Sequence, residues 1–173
     1  MQNKKTAYLT QAAMIAAVYV ALTYIFVPIS FREIQVRISE ALTILPVFTP
    51  AAVPGLFVGC LLGNLLGGAL IPDVVLGSLA TLIGAVFTRM LRNAHPFLAP
   101  VPPILSNTLI IPFVLRYAYA IDLPIPLMML TVCLGEVISC GALGMLLYFA
   151  LRKRKDQIFR KQQPENFEQE VSL

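Results

Sequence analysis

One carboxylate stands inside the last long apolar stretch of the chain. Glu136 is the single charged residue between Leu123 and Leu151. A carboxylate at the centre of a lipid bilayer costs roughly 2.5 kcal/mol or more to insert, so it is rarely found there without a partner or a task. Two interpretations are open: Glu136 binds a ligand, or it packs between helices, either protonated or paired with Arg116.

A second concentration of polar side chains lies between Phe26 and Leu42. Its nine central residues include Arg32, Glu33, Gln35, Arg37, Ser39 and Glu40. Apolar and polar residues alternate here, which predicts an extended, lid-like segment that is apolar on one face. Glu40 is interpreted either as a ligand contact or as one half of a surface ion pair with Arg37, and Ser39 is expected to cap the next helix.

The composition is that of a membrane protein. Of 173 residues, 58% are hydrophobic and 13% are charged, whereas a soluble domain has roughly 25% charged residues. The formal net charge is +4, but the basic residues stand at the ends of apolar runs, which argues against nucleic-acid binding. The three cysteines lie in apolar runs without metal-ligand spacing, so neither a disulfide nor a metal site nor a cofactor is expected.

The uncharged stretches predict an all-α integral membrane protein with six helices, given about 20 residues per span. The expected helices cover residues 6–31, 38–48, 51–68, 73–89, 103–119 and 123–151. The second is short because prolines interrupt it. We expect residues 1–155 to form one transmembrane domain and residues 156–173 a polar cytoplasmic tail.

The basic residues predict the orientation in the cell membrane. Ten of the thirteen lie on one predicted face, before the first helix, after the fourth and after the sixth. The positive-inside rule therefore places both termini in the cytoplasm. The tyrosines are expected to anchor the interfaces, since tryptophan is absent; they are Tyr8, Tyr19, Tyr24, Tyr117, Tyr119 and Tyr148.

Small residues recur at helical spacing in two places. Gly55, Gly59, Gly63 and Gly67 repeat every four residues, which predicts close packing of the third helix against another helix of the same chain. On the first helix the stripe is alanine: Ala13, Ala17 and Ala21, with Ala12 and Ala16 beside it. This stripe is expected to serve either a partner protein or the chain's own packing, and both interpretations are open.

Three blocks in order carry a family resemblance: QVRISEALTILPVFTPAAVPGLFVGCLLGNLLGG, DVVLGSLATLIGA and LGEVISCGALG. From about residue 10 to 152 the chain resembles the queuosine-precursor transporter (QueT) family. These proteins are substrate-binding S components of energy-coupling factor (ECF) transporters. The resemblance implies a six-helix S component that takes up a 7-deazaguanine precursor with a transmembrane T component and two cytoplasmic ATPases. No Walker motif occurs in the chain, so the chain itself is not expected to be an enzyme.

The side chains suit this class of ligand. A 7-deazaguanine presents adjacent N–H donors beside a carbonyl, and a carboxylate accepts two such bonds. Glu136 is the first candidate for that edge, and Glu40 for further donors or for an aminomethyl cation. The full set of expected contacts is Glu136, Glu40, Asn64, Gln35, Arg37, Tyr24, Phe31 and Tyr117, the aromatic rings by stacking. The alternatives are an S component for another vitamin-like solute, or a stand-alone proton-coupled carrier with Glu136 as its proton site.

Three other polar residues have structural interpretations. Asp73 is expected to cap the fourth helix, where a carboxylate suits the positive end of the helix dipole. Asn107 is expected to form a hydrogen bond between helices. Arg116 is expected to pair with Asp122 or Glu136.

Overall fold

The computed structural model describes residues 2–26 and 37–153, and within these ranges the chain is helical without a strand. We number the six main helices in chain order. They are helix 1 (Gln2–Ile25), helix 2 (Ile38–Val47), helix 3 (Ala52–Leu66), helix 4 (Ile71–Met90), helix 5 (Val101–Tyr117) and helix 6 (Ile125–Arg152). Helices 2 to 6 agree with the predicted bounds to within two residues. Helix 1 ends at Ile25, short of the predicted residue 31.

Two of these helices depart from regular α geometry. Helix 2 is a 3₁₀ helix of ten residues, although 3₁₀ runs longer than three or four residues are uncommon. Pro46 lies inside it and supplies no backbone N–H. Helix 6 is α-helical over Ile125–Glu136, changes to a π-helix over Val137–Leu143, and is α-helical again over Gly144–Arg152. Its wide turn therefore begins directly after Glu136.

Four of the helices are long and apolar enough to cross a membrane. These segments are Lys5–Ile25, Ile71–Asn93, Pro96–Tyr117 and Ile125–Arg152. Helices 2 and 3 are apolar but shorter. The outer surface is apolar as well: helix 5, for example, exposes Leu105, Leu109 and Phe113 at four-residue spacing. Apolar side chains outside and polar ones inside are the arrangement expected of a bundle surrounded by lipid.

The glycine stripe of helix 3 packs against helix 1, which confirms the predicted intramolecular contact. A Cβ atom added at Gly55 would lie 2.7 Å from the backbone oxygen of Ala12, and one at Gly59 would lie 2.8 Å from Cβ of Tyr19. At Gly63 the nearest atom would be Cβ of Thr23 at 3.2 Å. The glycines therefore let the two backbones approach closely, as small residues do in membranes.

The alanine stripe of helix 1 divides between two faces. Ala16 is buried against helix 3, and its backbone lies beside Gly59. Ala13, Ala17 and Ala21 are exposed on the outside of the bundle. The packing between helices 1 and 3 thus leaves these three alanines uncovered.

Helix 2 lies at the centre of the bundle, where it contacts helices 1, 3, 4 and 6. Eight consecutive residues, Ser39 to Pro46, are buried. Such a helix has no solvent-facing side, so its polar side chains must find partners inside the protein. Arg89 of helix 4 holds its end by donating from Nη1 to the carbonyl of Pro46 at 3.0 Å. This placement carries Glu40 into the interior.

Candidate functional site

Two carboxylates meet at the centre of the bundle. Glu40 of helix 2 is 0% exposed and Glu136 of helix 6 is 5% exposed. One oxygen of each lies within 4.8 Å of the other, and the thiol of Cys140 lies within the same distance of both. At an effective dielectric constant of 20, two full negative charges this close repel by about 3 kcal/mol or more. The same three atoms could serve as metal ligands, although the sequence predicts no metal site.

Glu136 is held by neighbours on both oxygens. Asn107 of helix 5 donates from Nδ2 to Oε1 at 2.9 Å, and the Cys140 thiol lies 3.1 Å from Oε2. The predicted interhelical hydrogen bond of Asn107 is confirmed, and its partner is Glu136. Arg116 instead lies 2.6 Å from Asp122 at the exposed end of helix 5. Of the two partners considered for Arg116, the structure shows Asp122.

Glu40 has one oxygen occupied and one unpartnered. Tyr19 of helix 1 donates its phenolic O–H to Oε1, whereas Oε2 is buried without a hydrogen-bond partner among the described residues. Thr43 donates to the backbone oxygen of Glu40 at 2.6 Å and so braces this turn of helix 2. A buried acceptor without a partner costs about 1–3 kcal/mol, and more when it is charged. Oε2 of Glu40 is therefore a buried acceptor to which a ligand could donate a hydrogen bond.

The surface ion pair considered for Arg37 and Glu40 is wrong, because both side chains are buried. Arg37 lies with Nη2 3.6 Å from Oδ2 of Asp73 and with Nη1 3.5 Å from Oδ1 of Asn64. Helix 2 thus directs Arg37 toward helices 3 and 4. Glu40 follows three residues later, and its backbone N–H donates to the carbonyl oxygen of Arg37 at 3.0 Å. The interior therefore contains the guanidinium group of Arg37 as well as the carboxylates of Glu40 and Glu136.

Asp73 has a larger role than the predicted helix cap. It lies in the first turn of helix 4, but no side-chain cap bond is formed there. Its side chain is 1% exposed, faces Arg37, and accepts a hydrogen bond from the hydroxyl of Tyr119 at 3.0 Å. Its Oδ1 atom has no hydrogen-bond partner among the described residues. Burial raises the pKa of the Tyr119 phenol above its ordinary value, so Tyr119 remains a donor at neutral pH.

The structure places the other expected contacts unevenly. Tyr24 and Tyr117 are 66% and 77% exposed, outside the buried cluster. Gln35 and Phe31 lie outside the described residues. Tyr19 and Tyr148 are buried, so their prediction as interface anchors is wrong. The predicted cap at Ser39 is also wrong, because its hydroxyl accepts from Thr23 of helix 1 at 2.9 Å.

Comparison with known proteins identifies the family. The family model for the QueT transporter matches residues 9–153. The chain belongs to the QueT transporter family. It is 34% identical over 85 residues to the queuosine precursor transporter QueT of Lactococcus lactis subsp. cremoris (strain MG1363). That alignment covers 48% of this chain, and the chain spans about half (50%) of the length of that relative. No solved structure matches the chain.

Membership in the QueT family gives the buried polar groups a context. Four helices of spanning length in a member of this family indicate a multi-pass membrane protein. Ionisable side chains inside such a bundle mark solute sites and proton relays more often than packing defects. The carboxylates at the centre of this bundle are therefore the first candidates for ligand contact.

Proposed function

We propose that the chain is the S component of an ECF importer and binds a queuosine precursor of the 7-deazaguanine class. The family match and the name of the Lactococcus relative support transport of such a precursor. The observation that carries the proposal is the polar centre: Glu40 and Glu136 on one side, with Arg37, Asn64 and Asp73 adjoining. The proposed fold is the six-span S-component bundle with a short helix 2.

The polar centre has the chemistry that this ligand class requires. A 7-deazaguanine offers N–H donors beside a carbonyl acceptor. The centre offers carboxylate acceptors, and Arg37 and Asn64 supply donors for the carbonyl. We propose Glu136, Glu40, Arg37, Asn64 and Asp73 as contacts. Gln35, Phe31, Tyr24 and Tyr117 remain predictions from the sequence.

Calorimetry on the purified protein tests the substrate class. We expect 7-deazaguanine precursors to bind with saturable heat at a single site, and guanosine and unrelated vitamins to give none. Binding of a different vitamin-like solute in place of the precursors would contradict the substrate and favour an S component for that solute.

Transport should depend on other chains. The proposed partners are a T component and two cytoplasmic ATPases, because the sequence has no phosphate-binding loop; the chain itself is not proposed to be an enzyme. The outward-facing Ala13, Ala17 and Ala21 are proposed as the surface for the T component, since small residues let helices approach closely.

The substitution Ala17→Trp should therefore abolish most ATP-driven uptake while ligand affinity changes by less than about twofold. The bulky ring would hold the partner helix away without touching the buried centre. The matched control is Ala150→Trp, another exposed alanine on helix 6, which should retain uptake. Uptake into liposomes by the chain alone would contradict the dependence on partner chains. It would favour a stand-alone, proton-coupled carrier with Glu136 as the proton site.

Orientation in the cell membrane gives a separate prediction. We propose that both termini are cytoplasmic, that residues 1–155 form the membrane domain and that residues 156–173 form a polar tail. A cysteine introduced as Asp122→Cys, at a side chain that is 96% exposed, should react with an impermeant thiol reagent from outside intact cells. Asn93→Cys, at an exposed residue that follows helix 4, should react only after permeabilisation. The reverse pattern would exclude this orientation.

A further inference from the structure

The two central carboxylates lie close enough together for one small donor group to contact both. The facing oxygens of Glu40 and Glu136 lie within 4.8 Å of each other. An ammonium nitrogen donates along tetrahedral directions at about 2.8 Å, so two oxygens that share it lie about 4.6 Å apart. By contrast, acceptors bound to opposite ends of a purine-sized ring would be roughly 10 Å apart. The two carboxylates therefore act on one end of a ligand.

The buried carboxylates outnumber the buried cations, and no buried cation is paired with Glu40 or Glu136 among the ion pairs of the described residues. Within residues 5–26 and 37–153, whose burial the structure describes, the buried charged side chains are three carboxylates and one guanidinium: Glu40, Asp73, Glu136 and Arg37. The guanidinium group lies 3.6 Å from Asp73. Glu136 has neutral partners on both oxygens. Glu40 has a neutral partner on Oε1, and no described residue forms a hydrogen bond with its Oε2. Two like charges in a dry interior are stabilised by a cation between them.

We propose that the ligand of this site is a cation whose ammonium group binds between Glu40 and Glu136. The proposal rests on the proposed function and selects within its substrate class. The ligand is a 7-deazaguanine with a charged aminomethyl arm, and the neutral 7-cyano form is discriminated against. The N–H donors of the ammonium group bond to both carboxylates, and its positive charge offsets the repulsion between them.

The same geometry assigns the other end of the ligand. The guanine-like edge must lie away from the carboxylate pair, where acceptors and donors are both needed. Oδ1 of Asp73 is buried without a hydrogen-bond partner in the part of the chain that the structure describes, and it can accept from the N–H donors of this edge. Arg37 and Asn64, beside it, provide donors for the ring carbonyl. The start of helix 2 joins the two ends of the site, because Arg37 directly precedes the helix and Glu40 lies in its first turn.

Competition between two defined ligands tests the proposal. Calorimetry with 7-aminomethyl-7-deazaguanine and 7-cyano-7-deazaguanine should show at least about 30-fold tighter binding of the aminomethyl form, as expected for charge-assisted hydrogen bonds. Glu40→Gln should reduce this preference to about threefold or less. Asp73→Asn is the matched control, because it should weaken both ligands by a similar factor and leave the preference intact.

The outcomes separate the inference from the function on which it rests. Equal affinity for the two ligands, or tighter binding of the cyano form, would overturn the ammonium site while leaving the 7-deazaguanine class in place. Binding of neither ligand to the wild-type protein would overturn both. The preference of the wild-type protein is decisive by itself if Glu40→Gln does not fold.

Discussion

The substitution Glu136→Gln should weaken the affinity for a 7-deazaguanine precursor about 30- to 1000-fold, or roughly 2–4 kcal/mol. Glutamine keeps the shape of the side chain but exchanges one acceptor oxygen for an NH₂ donor. That donor would face the N–H groups of the ligand or of Asn107, or the S–H group of Cys140, all of which need acceptors. The loss thus combines a missing charge-assisted hydrogen bond with a buried donor that lacks a partner.

Calorimetry with the purified variant measures this loss, and Arg116→Gln provides the control. Arg116 pairs with Asp122 at the exposed end of helix 5, so its replacement should change ligand affinity by less than about twofold, as exposed ion pairs contribute little. Unchanged affinity in Glu136→Gln would instead assign Glu136 to helix packing through Asn107.

The helices could be predicted from the sequence because membranes impose a simple rule. Apolar runs bounded by prolines and charges gave helices 2 to 6 to within two residues. The glycine stripe at Gly55, Gly59 and Gly63 gave the contact with helix 1, since close packing of helices in lipid requires small residues. The sequence could not show whether Ala13, Ala17 and Ala21 face the bundle or its outside. Neighbouring alanines lie on both faces of helix 1, since Ala16 is buried and these three are exposed.

The polar centre was only half predictable. Glu136 stands alone in an apolar run, and this isolation marks it. The same signal was present for Asp73, which is the single charged residue between Glu40 and Arg89. Its position at a helix start favoured a cap, and the ion pair with Arg37, which directly precedes helix 2, overrode that local preference.

The burial of Arg37 and Glu40 has a similar cause. Local sequence around them is polar and reads as a surface segment. Helix 2 is nevertheless enclosed by four other helices. This enclosure depends on the tertiary arrangement, and the hydrophobic pattern of the local sequence does not reveal it. Tyr19 follows the same logic: its hydroxyl reaches Glu40 because helix 1 is drawn close by the glycines of helix 3.

Gly59→Ala should therefore damage the fold and the site together. The new Cβ would lie 2.8 Å from Cβ of Tyr19 and 3.1 Å from Cα of Ala16, so helix 1 must move outward at an expected cost of about 1–3 kcal/mol. Gly59→Leu should cost more and prevent recovery of a monodisperse protein.

The control is Gly141→Ala, whose Cβ would meet nothing closer than Cγ1 of Val137 at 3.8 Å; it should leave thermal stability unchanged or raised. Thermal unfolding and ligand affinity measure both effects, because displacement of Tyr19 removes the donor from Oε1 of Glu40. Wild-type stability and affinity in Gly59→Ala would show that helix 1 tolerates a wider separation and would contradict this link between packing and site.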